Sequence, residues 1–84
     1  MDKTIKCLLL DVDNVIITEI VELDAELGQP DCRLINPYLF VSIEDMKPWP
    51  KATNQTELMI RSDDILTIAD PTEEVIEKYL ELTA

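Results

Sequence analysis

With 84 residues, 18 Asp and Glu against 7 Lys and Arg, and a net charge of -11, the chain has room for one domain and is set against broad, salt-driven binding to nucleic acid. Its 46 % of hydrophobic residues is the share of a folded chain and not of a disordered one, although so small a core leaves a lone monomer marginal. Cys7 and Cys32 form no CxxC pair and no histidine is present, which argues against structural zinc; no cofactor is expected and the thiols are read as reduced.

The opening MDKTIKCLLL combines basic residues with an apolar run, but Asp11 and Asp13 end that run before signal-peptide or membrane-span length. The expectation is a soluble, cytoplasmic protein with no membrane partner. Residues 4–10, TIKCLLL, and 15–23, VIITEIVEL, are β-branched and aliphatic, and the polar tetrapeptide Asp11-Val12-Asp13-Asn14 between them predicts a hairpin. Both faces of the second run are largely apolar. That predicts a strand buried on both sides, as in a strongly curved barrel or at a subunit interface.

Residues 24–31, DAELGQPD, hold the only glycine, Gly28, and read as a loop. CRLINPYLFVSI follows as strand, interrupted at Asn36-Pro37, with Leu34, Tyr38, Phe40 and Ile43 as core. Across 44–56, EDMKPWPKATNQT, prolines at 48 and 50 flank the single Trp49, and no regular element is expected. Trp49 reads either as a ring tucked over the end of a barrel or as a stacking platform for a base or a peptide.

ELMIRSDDILTIA, 57–69, predicts two short strands around the polar centre Arg61-Ser62-Asp63-Asp64. Asp70-Pro71-Thr72-Glu73 then reads as a helix start with Asp70 as N-cap, and Val75, Ile76, Tyr79 and Leu80 form one apolar stripe running to about Leu82.

The stretch CLLLDVDNVI also matches the first motif of haloacid dehalogenase-type phosphatases, with Asp11 as nucleophile and Asp13 as acid. That chemistry needs a doubly wound sheet to bring up further charged groups, and no crossover helix follows the second strand. No enzymatic activity is expected.

The order of five short strands, with IRSDDILTI over 60–68 and Ile16, Thr18, Ile20, Leu23 and Asp24 upstream, resembles the Sm/LSm family of small β-barrels over about residues 5–70. The resemblance implies an all-β, five-stranded Sm-like (SH3-type) small barrel, here followed by a C-terminal α-helix over about 71–82. It implies a homo-oligomeric ring, pentamer to heptamer, in which the fourth strand of one copy pairs with the fifth of the next. Leu58, Ile60, Leu66 and Ile68 would form that interface. It further implies single-stranded RNA at the inner rim, held by Arg61 with Asp24 and Ser62 shaping the pocket. Gly28 stands where the family's first motif carries Asn, and Ser62 where its second carries Gly. Only Arg61 and Arg33 are at hand as rim cations, so the other reading is a protein-binding structural or regulatory adaptor ring of a phage or its host.

Overall fold

The aliphatic runs form the expected ribbons in the computed structural model, which describes residues 4–11 and 14–84. In chain order these are β1 (Ile5–Leu9), β2 (Val15–Glu22), β3 (Cys32–Ser42), β4 (Asp45–Pro48), β5 (Glu57–Ile60), a 3-10 turn (Ser62–Asp64), β6 (Thr67–Ala69) and α1 (Glu73–Thr83). The fold is all-β with one C-terminal helix. Its single antiparallel sheet runs β4-β3-β2-β1-β6, with β5 also paired to β3, and it does not close on itself.

β1 and β2 pair from Ile5 opposite Glu19 to Leu9 opposite Val15. Asn14 tightens the connection by donating its backbone N–H and its amide to the Asp11 carboxylate at 2.9–3.0 Å, the local bonding that makes Asx residues turn formers. Val12 and Asp13 lie outside the described residues. β1 is antiparallel to both its neighbours, β2 and β6, so Asp11 ends a hairpin strand and not the strand of a parallel crossover layer.

β3 organises the rest. β2 covers one edge, while β4 and β5 share the other in succession, Phe40 facing Met46 and Leu34 facing Leu58. Residues 49–56 leave the sheet between them, anchored by Trp49 N–H to the Pro37 carbonyl at 3.0 Å and Asn36 N–H to the Thr56 carbonyl at 2.6 Å. Six segments thus lie on a five-stranded plan whose fourth strand is broken by an excursion. The expectation of no regular element across 44–56 is corrected here: a tight turn at Ile43-Glu44 folds Asp45–Pro48 back onto β3, and Pro48 closes the ladder where a missing N–H does no harm.

Asn36-Pro37 does not end β3. Between Ile17 opposite Tyr38 and Glu19 opposite Ile35, β2 advances two residues and β3 three, so the dipeptide houses a β-bulge, with Asn36 at φ 52°. The ladder groups this frees are met by side chains. Thr18, fully buried, donates to the Ile35 carbonyl at 3.1 Å, and Tyr79 from the helix reaches the same place.

The two apolar faces of β2 have separate partners. Leu8, Ile16, Ile20, Cys32 and Leu34 form one cluster, backed by Trp49, Ile60 and Ile65. Ile17 faces the other way, into a second cluster with Met46, Val75 and Tyr79 beneath α1. α1 is capped by Thr72, whose hydroxyl accepts from Val75 N–H at 3.3 Å, and not by Asp70, which pairs with Lys6 of β1 instead. Val75 and Tyr79 are buried, Ile76 is half-buried, and Leu80 is exposed, a narrower stripe than the spacing predicts because the helix touches the sheet along one line. Among the described residues no helix is long and apolar enough to cross a membrane.

Candidate functional site

Pairing of β5 with the start of β3 sets Cys32 opposite Ile60, which brings the loop before β3 against the turn after β5. The loop is closed by Leu23 N–H to the Asp31 carbonyl at 2.8 Å and turns at Gln29 N–H to the Glu26 carbonyl at 3.0 Å. Gly28 holds φ 86° in that turn, a left-handed conformation that a side chain would strain even though open space surrounds it.

Asp31 locks the two segments together. Its carboxylate accepts from the backbone N–H and the hydroxyl of Ser62, each at 2.7 Å. The Ser62 hydroxyl, followed by its amide, holds the Asp31 carboxyl below the ordinary carboxylate range. The sequence reading missed Asp31; its signal is that it directly precedes the strand whose first residue pairs with Ile60, the residue before Arg61.

Between loop and turn lies an open cavity of about 200 Å³, walled by Glu26, Leu27, Asp31, Arg61, Ser62 and Asp63. Arg61 and Ser62 both line this cavity, whereas Asp24 is exposed and outside that wall. Arg61 donates Nε and Nη2 to the two Asp64 oxygens at 3.1 and 3.3 Å, so its charge is answered from within the turn. That carboxylate raises the guanidinium pKa further. The partner, Asp64, stands three positions on. Arg33 is not on this wall; its Nε stands 3.9 Å from Glu57 Oε1. Glu26, Asp31 and Asp63 share this wall with an Arg61 that is already paired, so its charged side chains carry a negative balance.

The four strand residues expected at an interface divide into two pairs. Leu58 and Ile60 are half-buried, and Ile60 packs on the Leu8 and Leu34 cluster of its own chain. Leu66 and Ile68 are 68 % and 48 % exposed. Ile68 lies with Ile20 and Val21 along an open groove of about 400 Å³, and Met59, between the two inward residues of β5, points out at 51 % exposure. Among the described residues the outer edges of β5 and β6 have no strand partner.

Neither thiol is activated. Burial pushes the Cys7 thiol up, and burial, then the charges of Asp31 and Glu22, push Cys32 up. No group of three or more His, Cys, Asp or Glu side chains converges as a metal site among the described residues. No curated protein matches the chain. A model described as a family of unknown function (DUF6561) matches residues 3–84, and the chain belongs to that family.

Proposed function

We propose that this chain is a non-enzymatic assembly module whose copies join edge to edge, β5 of one against β6 of the next, into a homo-oligomeric ring that binds protein as an adaptor. The observation that carries this reading is the open sheet: among the described residues β5 and β6 are short and their outer edges have no strand partner, and β6 is flanked by exposed Leu66 and bears exposed Ile68. Exposed apolar edge strands are aggregation templates unless a neighbour covers them, and a cyclic arrangement of like copies covers every edge. The residues 62–64 turn between the two edge strands lets them diverge toward different neighbours.

The acidic wall at Glu26, Asp31 and Asp63 supports a basic protein segment over RNA as the rim ligand, because a ring repeats that charge with every copy. One observation favours RNA as a second reading: Arg61 and Ser62 share a cavity with the loop that follows Asp24. Fluorescence anisotropy with short uridine- and adenosine-rich RNAs at low salt separates the two. The adaptor reading expects no binding at high protein concentration; binding lost in Arg61→Ala would replace it with the RNA reading.

A further inference from the structure

Met59 lies on β5 between Leu58 and Ile60, which pair with Leu34 and Cys32 of the Leu8 cluster, so strand alternation turns Met59 to the opposite face, where it is 51 % exposed. It stands directly opposite Arg33 in the β3–β5 ladder, and the two side chains rise from the same face of the sheet. Glu57 shares that face, but its Oε1 is 3.9 Å from Arg33 Nε, beyond hydrogen-bond reach. Arg33 Nε is buried without a hydrogen-bond partner among the described residues, although the side chain as a whole is 43 % exposed. A buried donor of this kind is uncommon and costly. The residue facing it offers only a thioether sulfur, a weak acceptor.

The other described sulfurs are shielded. Met46 is buried in the cluster beneath α1, Cys32 is buried, and Cys7 is half-buried on β1; Met1 lies outside the described residues. Burial pushes both thiols up, so at neutral pH neither supplies the thiolate that oxidants attack. A thioether needs no deprotonation. Among the described residues Met59 is therefore the sulfur most open to an oxidant.

We propose that Met59 is a redox modification site and that its oxidation by hydrogen peroxide releases copies joined through β5, the release resting on the edge pairing proposed for β5 and β6. A lone pair of the thioether sulfur attacks one peroxide oxygen, the S–O bond forming as the O–O bond breaks. The proton of the transferred oxygen passes to the departing one, which leaves as water; sulfur gives up two electrons and the peroxide takes them. The sulfoxide oxygen is a strong acceptor on the residue that faces Arg33 Nε, so the modified side chain meets a donor already waiting in its own chain. Oxidation also makes a flexible apolar side chain polar. On the edge strand, adding a neighbour's strand beside that side chain then costs the dehydration of the sulfoxide, which opposes pairing.

The full chain and Met59→Leu are treated with hydrogen peroxide, quenched with free methionine, mapped by peptide mass spectrometry and sedimented. One added oxygen should appear on the Met59 peptide well before the Met46, Cys7 or Cys32 peptides. The oxidised parent should pair about tenfold more weakly, giving single chains where the untreated parent is a closed oligomer, and methionine sulfoxide reductases for both epimers should restore the oligomer. Met59→Leu, equally apolar, should stay assembled through the same treatment. On the Leu66→Glu background, which keeps copies apart, oxidation should lower the melting temperature more in Arg33→Lys, which keeps the charge but lacks the Nε donor, than with Arg33 in place. Earlier oxidation of Met46 or of the thiols overturns the site, as does an equal loss with and without Nε. An oligomer that survives complete oxidation of Met59 overturns the release and leaves edge pairing standing; an untreated parent that is already single chains overturns edge pairing and the release together.

Discussion

The hydroxyl of Tyr79 sits on the β-bulge of Asn36-Pro37, accepting from Glu19 N–H at 3.1 Å and directing its proton at the Ile35 and Asn36 carbonyls, both at 2.9 Å. One helix side chain thereby satisfies backbone groups on both strands of the irregular pair, at 1 % exposure. Tyr79→Phe keeps the ring and its packing but takes the hydroxyl from the Glu19 N–H and the Asn36 carbonyl, while Thr18 still reaches the Ile35 carbonyl. Urea unfolding should show a loss of about 1–3 kcal/mol. Tyr79→Ala adds a cavity beneath α1, and a loss of about 3–5 kcal/mol is expected for removing so large a buried ring.

Burial, the main cause, raises the Tyr79 pKa. A folded-state pKa above the unfolded one means that the native chain keeps its proton after the unfolded chain has lost it. The associated stability is complete below the ordinary tyrosine range, about 10, and is lost as pH rises through the native value. The Cys7 and Cys32 thiols, raised in the same direction, start the decline at lower pH. Thermal melts should therefore drop steadily above about pH 9, and the part of the decline beyond about pH 10 should shrink in Tyr79→Phe.

Asp31 behaves oppositely. Its pKa is lowered by Ser62, so the clamp is complete above the ordinary carboxylate value and is lost as pH falls through the native one. Acidification below about pH 4 should loosen the turn at 62–64, seen as a lower protection of the Ser62 amide relative to its intrinsic exchange rate at the same pH. Asp31→Asn should lower that protection already at neutral pH and leave it with little further change in acid.

The helix start offers a direct comparison of two candidate caps. Thr72→Ala removes the observed cap and should cost about 1 kcal/mol. Asp70→Ala removes only an exposed ion pair with Lys6, so its effect on the melt should stay below that of Thr72→Ala, within about 0–1 kcal/mol.

Local chemistry accounts for which features were legible in the sequence. The strands around 4–10, 15–23 and 57–69 and the helix at 73–83 declare themselves by periodicity and turn residues within a few positions of one another. What was not legible depends on partners distant in sequence. Asp70 has the better cap chemistry, but Lys6, 64 positions away, claims its carboxylate. β4 forms across a proline-rich stretch because β3 offers it an edge. The Asp31 clamp exists only once Cys32 pairs with Ile60, and the two-faced burial of β2 leaves open, from sequence alone, whether a helix or another copy covers the second face. The Arg61–Asp64 pair competes at the very residue that the Sm/LSm resemblance assigns to RNA.

Sedimentation velocity on the parent chain and on Leu66→Glu tests edge pairing most directly, because Leu66 is exposed and a charge there should not disturb the folded monomer. Pairing of β5 with β6 between copies requires the parent to sediment as one closed oligomer, within pentamer to heptamer size. Leu66→Glu should then sediment as a folded single chain with an unchanged circular dichroism spectrum. A parent that is itself a folded, monodisperse monomer at the highest attainable concentration would contradict the ring.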